Sequence, residues 1–366
     1  MPTPKGKVVV AANSSWNILN FRTGLIQRLA AAGYEPVVIA PHDQAGEARR
    51  PGLDVEWIAL GFQRSGLNPF SDVVLLWKYR RILSRLKPVA FLGFTIKPNI
   101  YGTIAARNLG IPTIANISGL GTAFIRRGAL QAMVTRLYRF ALKGAGTVFF
   151  QNADDRDLFV RRGLVKQAKT GLLPGSGVDL GQFVPVPLPL GPVTFLFIGR
   201  VLGDKGVREL ARAAQSLGIR AQLLGPIDEG NRTSIARAEL ERWVKEGSIE
   251  YLGETDDVRP FIEKATAVVL PSYREGLPRS LLEAGAMGRP LIATDVPGCR
   301  DVVDDGLNGF LCRSRDSESL AAAMRRLLDL SPEQRSAMGS ASRRKVETKF
   351  SEDVVVGAYL EALGKL

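Results

Sequence analysis

Short apolar runs alternate with amphipathic segments along the whole chain. In the first half the runs are 8–12, 36–40, 55–60, 89–94, 113–117 and 147–150. In the second half they are 193–198, 221–224, 249–252, 267–270, 291–293 and 310–311. Apolar runs separated by helical patterns are typical of parallel strands with helices on both faces of the sheet. The pattern therefore predicts an α/β fold with two doubly wound parallel sheets.

Two segments carry clear helical patterns. The segment 24–33 ends on Gly33, a common residue just after a helix. The last segment, 351–366, has apolar residues at Val354, Val355, Tyr359 and Leu363. We expect this C-terminal helix to pack back against the first domain.

A proline-rich segment, 183–192, separates the two halves and contains four prolines. Proline cannot sit inside a helix or a central strand, so an extended linker is predicted. The expected division is residues 1–182, a first Rossmann-like domain; 183–192, the linker; 193–350, a second Rossmann-like domain; and 351–366, the terminal helix. A chain of 366 residues suits two such domains. Domains of this kind are expected to face each other across a cleft at the carboxyl ends of their strands.

The net charge of +13 belongs entirely to the first half of the chain. Residues 1–185 contain 24 Lys plus Arg and 10 Asp plus Glu, whereas residues 186–366 contain 25 and 26. A basic half predicts an anionic partner, which could be phospholipid, a phosphorylated acceptor or nucleic acid. The alternative is that the charge serves only solubility.

Cysteine content and apolar run length bear on the compartment. The two cysteines, Cys299 and Cys312, allow at most one disulfide and show no metal-binding spacing, which favours the reducing cytoplasm. The run 8–12 is much shorter than the core of a signal peptide. No run approaches the roughly 20 residues of a spanning helix. A cytoplasmic protein is expected.

The segment 199–206, Gly-Arg-Val-Leu-Gly-Asp-Lys-Gly, follows an apolar run and precedes a helical pattern. Its backbone N–H groups and the positive end of the helix should collect at the end of a strand, a site that binds diphosphate. Arg200 and Lys205 add two cations, which suits a leaving group that accumulates negative charge. Gly199 belongs to the same turn.

Two carboxylates, Glu275 and Glu283, lie eight residues apart. If Pro278 starts a helix, Glu283 lies inside that helix and Glu275 on the preceding loop. A carboxylate can accept hydrogen bonds from two neighbouring hydroxyl groups. Gly276 and Leu277 would bring backbone N–H groups close to sugar and phosphate.

Together these motifs resemble the GT-B glycosyltransferases of family 4, a retaining and metal-independent group. The resemblance covers nearly the whole chain and also rests on the segments 270–278, 283–288, 294–298 and 305–309. It implies two Rossmann-like domains, an acceptor-binding one at 1–182 and a nucleotide-sugar-binding one at 193–350, with no metal or other cofactor. It assigns Arg200 and Lys205 to the donor diphosphate, Glu275 to the donor sugar and Glu283 to the ribose. It further implies front-face attack, in which the departing phosphate oxygen takes the acceptor's proton.

The first domain narrows the resemblance to bacterial enzymes that extend undecaprenyl-diphosphate-linked sugars. The segments that carry it are 17–22, 65–69, 97–102 and 117–124. The implied acceptor site is a polar cradle for a diphosphate. Its candidate residues are Asn13, Ser14, Ser15, Lys97, Ser118, Gly119, Gly121, Thr122, Arg126 and Arg127.

Many members of this family have a histidine in the first domain, near the end of the fourth strand. The matching segment of this chain reads Phe94-Thr95-Ile96-Lys97 and contains no histidine. Lys97 is therefore the candidate catalytic cation in this domain, beside Arg200, Lys205 and Glu275 in the second. The only histidine, His42, is expected to lie on a loop.

Asp155 and Asp157 have the Asp-X-Asp spacing that a different transferase architecture uses for Mg²⁺ or Mn²⁺. They follow Asn152 at an expected helix start, where acidic side chains cap the helix and complement its dipole. We therefore expect no metal site here.

Two stretches, 75–87 and 124–143, mix aromatic, aliphatic and basic residues at helical spacing. Either could lie on an anionic membrane surface, and either apolar stripe could instead be core. The second is the stronger candidate because it follows the expected acceptor loop. A peripheral position on the inner face of the plasma membrane is predicted.

The sequence thus favours a retaining glycosyltransferase. It would move a hexose or N-acetylhexosamine from a nucleotide diphosphate sugar, with uridine the favoured base, to a polyprenyl-diphosphate-linked glycan. The alternatives are a nucleotide-sugar epimerase of the same fold, a non-catalytic membrane scaffold and a nucleic-acid binder. No base-reading motif supports nucleic acid as a partner.

Overall fold

The computed structural model describes residues 5–41, 53–61, 69–119 and 129–366. His42, the segment 62–68 and the segment 120–128 lie outside the described residues. The chain divides into two compact units. Unit 1 consists of Met1–Ser176 with Glu352–Leu366, and unit 2 consists of Gly177–Ser351.

Unit 1 contains a seven-stranded sheet with the order β3-β2-β1-β4-β5-β6-β7. All its strand pairs are parallel. The strands are β1 Lys7–Ala11, β2 Glu35–Ala40, β3 Glu56–Ala59, β4 Ala90–Phe94, β5 Thr113–Ile117, β6 Thr147–Phe150 and β7 Thr170–Leu172. The first six coincide with the six predicted runs. The seventh has only three residues and was not predicted.

The described helices of unit 1 cover both faces of this sheet. They are α1 Ser15–Phe21, α2 Thr23–Ala31, α3 Pro69–Leu86, a π-helical turn at Pro98–Gly102, α4 Thr103–Asn108, α5 Ala129–Leu142, α6 Ala153–Arg161 and the C-terminal α14 Glu352–Gly364. Adjacent strand residues point to opposite faces, so Val9 packs with α3 to α6 while Val8 packs with α1, α2 and α14. Burial on both faces explains why the strands are continuous apolar runs.

The C-terminal helix α14 is part of unit 1. Its Tyr359 is buried in the core with α2, and Asp353 accepts a hydrogen bond from Arg28 at 2.7 Å. Val355, Tyr359 and Leu363 are buried as the pattern indicated, whereas Val354 is exposed and Val356 is buried instead. The buried stripe of this helix thus differs from the predicted stripe at one position.

Unit 2 contains a six-stranded parallel sheet with the order β10-β9-β8-β11-β12-β13. The strands are β8 Phe195–Ile198, β9 Ala221–Leu224, β10 Ile249–Tyr251, β11 Ala267–Leu270, β12 Leu291–Thr294 and β13 Gly309–Cys312. All six coincide with predicted runs. The prediction of an α/β fold with two parallel sheets is confirmed.

The helices of unit 2 connect these strands and flank the sheet. They are α7 Val207–Leu217, α8 Arg237–Lys245, α9 Arg259–Lys264, α10 Arg279–Ala286, α11 Cys299–Val302, α12 Ser317–Leu328 and α13 Pro332–Lys349. A 3₁₀ turn, Gly203–Lys205, precedes α7. Cys299 and Cys312 are both buried free thiols.

The proline-rich segment 183–192 lies within unit 2, after the division at Ser176–Gly177. Its first residue, Phe183, is buried in the unit 2 core. The fully buried Arg289 donates to the carbonyl of Pro187 at 3.0 Å and to that of Ile262 at the same distance. The segment is therefore anchored to the unit by a buried guanidinium, which the sequence pattern did not indicate.

Candidate functional site

In unit 2 the chain reverses its direction of winding between β8 and β11. From β8 it passes outward to β9 and β10, and it then returns to place β11 on the other side of β8. Ligands of open α/β sheets bind outside the carboxyl ends of the strands at such a switch point. The segments that follow β8, β11 and β12 at this edge contain Gly199 to Gly206, Glu275 and Gly298. The second-domain candidates thus begin on neighbouring strands.

The turn after β8 needs glycine at Gly206. This residue has φ 73°, and a Cβ atom there would overlap the carbonyl oxygen of Pro271. The turn is also pinned by the N–H of Gly203, which donates to the carbonyl of Thr233 at 2.6 Å. Helix α7 then begins at Val207 with no side-chain cap, so its first N–H groups are directed at this edge of the sheet.

Lys205 and Glu275 meet at the switch point. Nζ of Lys205 donates a hydrogen bond to Oε1 of Glu275. Both side chains are largely buried, with 24% and 12% of their surfaces exposed, respectively. The structure thus joins the expected phosphate-binding cation to the expected sugar-binding carboxylate in one ion pair.

The loop that carries Glu275 is held from two sides. The N–H of Tyr273 donates to the carbonyl of Asp204 at 2.9 Å, which ties the loop to the turn after β8. Gly298, with φ 83°, packs against the loop from β12, and a Cβ atom there would overlap the carbonyl oxygen of Gly276. Backbone contacts on both sides therefore fix the position of Glu275.

Arg200 lies at the same edge but does not join the Lys205 pair. Its guanidinium donates to Asp228 at 2.8 Å, and about half of its side chain is exposed. A surface ion pair of this kind is weak, so Arg200 can exchange Asp228 for an incoming anion at little cost. Asp228 was not predicted.

Glu283 lies inside α10, whose N-cap is Pro278. It is buried, and Nε of Arg279 donates to its Oε1 at 2.6 Å. Burial raises the pKa of Glu283, and the charge of Arg279 and its hydrogen bond oppose this rise. Arg279, one turn earlier on the same helix, is a neighbour that the motif did not single out.

A second cluster, absent from the sequence predictions, lies beside the Glu275 loop. The hydroxyl of Tyr273 donates to Glu209 of α7 at 2.7 Å. The guanidinium of Arg315 lies 4.6 Å from the centre of the Tyr273 ring. Burial and the Glu209 carboxylate raise the pKa of Tyr273 to about 12, so its hydroxyl stays protonated. Tyr273 thus acts as a fixed support between α7 and the loop.

In unit 1 the corresponding switch point lies between β1 and β4. Asn13, Ser14 and Ser15 follow β1, Lys97 follows β4, and Ser118 with Gly119 follows β5. These three strands are neighbours, so the described first-domain candidates share one edge of the sheet.

Ser14 has a structural role at this edge. The hydroxyl of Ser14 accepts from the N–H of Asn17 at 3.1 Å and so caps helix α1. Ser15 is buried. After β5, Gly119 has φ 129°. Gly121, Thr122, Arg126 and Arg127 lie outside the described residues.

Lys97 is buried and paired with a carboxylate. Its Nζ donates to Oδ1 of Asp72 at 2.8 Å, and the hydroxyl of Tyr101 donates to Oδ2 of the same carboxylate at 2.8 Å. Asp72 lies in the first turn of α3, and Tyr101 lies in the π-helical turn Pro98–Gly102. π-helical turns are frequent at functional sites. The ammonium group that the sequence singled out thus has its charge balanced within unit 1.

The Asp155 and Asp157 segment forms a helix start. Oδ1 of Asn152 accepts from the N–H of Asp155 at 2.8 Å, and Asp157 pairs with Arg156 at 2.9 Å. Within the described part of the chain, no group of three His, Cys, Asp or Glu side chains is arranged to hold a metal ion.

Among residues 5–41, 53–61, 69–119 and 129–366, no helix is long and apolar enough to cross a membrane.

Eight residues of these sites were missed by sequence reasoning: Asp72, Tyr101, Glu209, Asp228, Tyr273, Arg279, Gly298 and Arg315. Gly298 stands in one of the recognised motifs, and its backbone role could have been inferred from the glycine. Asp72 and Asp228 carried no signal, because each pairs with a residue far away in the sequence.

Family models match both halves of the chain. The model "Glycosyl transferase 4-like domain" matches residues 21–175, and the model "Glycosyl transferases group 1" matches residues 192–330. The two matches fall on unit 1 and unit 2, respectively.

Characterised relatives cover most of the chain. It is 26% identical over 366 residues to N,N'-diacetylbacillosaminyl-diphospho-undecaprenol α-1,3-N-acetylgalactosaminyltransferase of Campylobacter jejuni, covering 94% of this chain and 95% of that protein. It is also 26% identical over 254 residues to UDP-Gal:α-D-GlcNAc-diphosphoundecaprenol α-1,3-galactosyltransferase of Escherichia coli, covering 64% of each chain.

A solved structure shares the fold over almost the full length. This is Alr3699/HepE of Anabaena in complex with UDP-glucose, with a TM-score of 0.81 and 16% identity, covering 98% of this chain and 100% of that one. The fold of two Rossmann-like domains that the motifs implied is confirmed.

Proposed function

This chain belongs to the group 1 glycosyltransferases, and from that premise we propose that it is a retaining, metal-independent enzyme with a UDP-sugar donor and a lipid-linked acceptor. It moves a hexose or an N-acetylhexosamine to a polyprenyl-diphosphate-linked glycan. The product serves the assembly of a surface polysaccharide or a glycoprotein glycan.

The observation that carries this proposal is the ion pair of Lys205 and Glu275 at the switch point of unit 2. A nucleotide-sugar site needs a cation for the diphosphate and a carboxylate for the sugar hydroxyls within a few ångströms of each other. The pair supplies both on loops that backbone contacts hold in place. Preorganised charge of this kind is the main means by which enzymes stabilise developing charge.

In the proposed complex the diphosphate lies against the start of α7. Lys205 binds one of its oxygens, and Arg200 leaves Asp228 to bind another. Glu275 then accepts hydrogen bonds from hydroxyl groups of the donor sugar, assisted by the backbone of Gly276 and Leu277. Glu283 accepts from the hydroxyls of the ribose.

The proposed reaction breaks the bond between the anomeric carbon and the β-phosphate oxygen. The acceptor hydroxyl forms the new bond on the same face, and its proton passes to the departing phosphate oxygen. Lys205 and Arg200 stabilise the negative charge that develops on that phosphate. The three positive elements, Lys205, Arg200 and the start of α7, supply the charge compensation that a divalent metal would otherwise provide.

Uridine and the lipid-linked acceptor are supported by the names of relatives. The Escherichia coli relative is named for UDP-Gal and a diphosphoundecaprenol acceptor, and the Campylobacter jejuni relative for a diphospho-undecaprenol acceptor. A protein of the same fold was solved with UDP-glucose. The basic charge of residues 1–185 is complementary to a diphosphate and to an anionic membrane. The enzyme would act as a peripheral protein on the inner face of the plasma membrane.

The proposal is tested by incubating the purified full chain with a panel of UDP-sugars and a detergent-solubilised polyprenyl-diphosphate glycan, with and without EDTA. We expect one UDP-sugar to be transferred at the same rate in both conditions. Proton NMR of the product should show the donor's anomeric configuration. Failure to transfer any sugar would overturn the transferase assignment. An inverted anomeric centre would overturn the retaining mechanism, and rescue of an EDTA-treated sample only by Mg²⁺ or Mn²⁺ would overturn metal independence.

A further inference from the structure

Helix α3, Pro69–Leu86, has two well-separated faces. Leu75, Tyr79 and Leu83 are buried in the unit 1 core at a spacing of four residues. The apolar stripe of the stretch 75–87 is therefore part of the core, which was one of its two predicted roles. The opposite face remains on the surface and has a different composition.

The first half of this outer face is apolar. Its residues and their exposed fractions are Phe70 86%, Val73 66%, Val74 50% and Trp77 58%. They stand at helix positions i, i+3, i+4 and i+7, which form one continuous strip over two turns. Large apolar side chains gathered on one strip indicate a binding surface more strongly than the same number scattered singly.

The second half of the same outer face is basic. Its exposed cationic residues are Lys78, Arg80, Arg81 and Arg85. The guanidinium of Arg81 lies 5.5 Å from the centre of the Trp77 ring, at the junction of the apolar and basic halves. The outer face therefore changes from aromatic and aliphatic to cationic along a single helix.

The apolar half lies at the functional edge of unit 1. Asp72 in the first turn of α3 accepts the hydrogen bond from Lys97, which follows β4 at the carboxyl edge of the sheet. Because Asp72 and Val73 are adjacent in the same helical turn, the exposed strip begins beside the candidate acceptor edge.

We propose that the outer face of α3 docks unit 1 on an anionic lipid bilayer. Phe70, Val73, Val74 and Trp77 enter the boundary between headgroups and acyl chains. The four cations that follow them bind the lipid phosphates. This inference rests on the proposed function and deepens it, because docking in this orientation places the Lys97 edge next to the membrane that holds a polyprenyl-linked acceptor.

Charge complementarity and composition favour a bilayer over the other partners. A nucleic acid would use the cations but would leave the aliphatic residues Val73 and Val74 in water. The described part of the other basic stretch, on α5, exposes Met133 and Phe140 seven residues apart, and the Arg107 guanidinium lies 5.1 Å from the Phe140 ring. The described side chains of α5, from residue 131 onward, thus form no comparable strip.

The test is sedimentation of the full chain with vesicles of phosphatidylcholine alone or with about one third phosphatidylglycerol. We expect strong binding to the anionic vesicles only. The double variant Val73→Ser/Trp77→Ser should bind them at least tenfold more weakly, and the double variant Arg81→Gln/Arg85→Gln should lose most of the preference for anionic lipid. Trp77→Phe should retain binding.

Phe140→Ser is the matched control, because Phe140 is also an exposed aromatic residue of unit 1, with 55% exposure. It should bind vesicles as the wild type does. All variants should keep wild-type rates with the detergent-solubilised acceptor, since none alters a proposed donor or acceptor residue. A loss of that activity would show that a variant is misfolded. In that case vesicle binding would be compared between the single variants Trp77→Ser and Trp77→Phe.

Three outcomes would overturn the inference. The first is a wild-type chain that transfers sugar in detergent but does not bind anionic vesicles, which leaves the proposed transferase activity intact. The second is a Val73→Ser/Trp77→Ser variant that binds as the wild type does. The contact would then depend on charge alone, which favours nucleic acid as the partner of this face. The third is an equal loss in Phe140→Ser. A chain that binds vesicles but transfers no sugar would instead refute the proposed function.

Discussion

Nζ of Lys205 donates a hydrogen bond to Oε1 of Glu275 across seventy positions of sequence. The pair joins the turn after β8 to the loop after β11, the two central strands of unit 2. In this structure each charge compensates the other. In the proposed complex the diphosphate competes with Glu275 for the ammonium group of Lys205. The Glu275 carboxylate is then available to accept hydrogen bonds from the sugar hydroxyls. The pair therefore holds the turn after β8 and the loop after β11 in a fixed relation to each other.

Loss of either partner should abolish most of the transfer. We expect Lys205→Ala and Glu275→Gln each to lower the transfer rate by about two to three orders of magnitude, because each removes a preorganised charge from the reacting group. The measurement is the initial rate with saturating UDP-sugar. Lys245→Ala, at the far end of α8, is the matched control and should keep the wild-type rate. A rate near wild type in either site variant would contradict the donor-site assignment.

The effect of the backbone contact at Gly298 can be measured separately from the effect of its positive φ. Gly298→Ala should destabilise the protein and remove its thermal response to UDP, since φ is 83° and a Cβ atom would push against the Glu275–Gly276 backbone. Gly306→Ala has nearly the same φ, 79°, with no atom within 4 Å of the added Cβ. It should lose only about 1 kcal/mol of stability and keep the UDP response. Equal effects in the two variants would show that the contact with the loop is unimportant.

The pH dependence of UDP binding should report on Glu283. In the proposed complex its ionised form accepts hydrogen bonds from the ribose hydroxyls, and burial raises its pKa. UDP affinity should therefore fall as pH is lowered through that raised pKa, earlier than an ordinary glutamate would cause. Arg279→Gln removes the opposing charge and should move the fall to higher pH. Calorimetric titration of UDP from about pH 4.5 to 8 measures both curves, and an unshifted curve in Arg279→Gln would count against this role.

The same pKa shift has the opposite sign for folding. A carboxyl group whose pKa is higher in the folded than in the unfolded state favours folding at low pH, and that contribution is lost as pH rises through the folded pKa. Acid should thus weaken UDP binding while protonation of Glu283 itself favours the folded state of unit 2.

The buried network of Asp72, Lys97 and Tyr101 should be essential to the stability of unit 1. Asp72→Asn leaves the Lys97 ammonium buried without its counter-charge, and we expect a loss of about 3–5 kcal/mol in the free energy of unfolding. The double variant Asp72→Leu/Lys97→Met removes both charges and should lose much less. Urea unfolding of the single and double variants measures the difference. A double variant as unstable as Asp72→Asn would contradict a charge-pair origin.

The fold was predictable because its signals are local. Every strand of unit 2 and six of the seven strands of unit 1 are apolar runs, and burial on both faces makes such runs continuous. Strand β7 escaped because Thr170–Leu172 is short and contains a glycine. The stripe of α14 was misplaced at Val354, since a helix that is apolar at adjacent positions gives no unique face from sequence.

Only those site residues that belong to local sequence motifs were predictable. Glycines, cations and carboxylates next to strand ends identified Gly199, Lys205 and Glu275 as candidates. The partners of Arg200 and Lys97 come from distant segments, so no local pattern marks Asp228 or Asp72. The outer face of α3 was hidden for a related reason. Its residues were visible in the sequence, but which side of the helix faces the core depends on tertiary packing.

The most direct test of the donor site is calorimetric titration of UDP into the full chain in the presence of EDTA, repeated with Lys205→Ala. The account predicts one site per chain for the wild type, with affinity unaffected by EDTA, and a loss of at least tenfold in affinity for the variant. Binding that vanishes with EDTA, or that is unchanged in Lys205→Ala, would contradict a metal-free diphosphate site at the ends of β8 and β11.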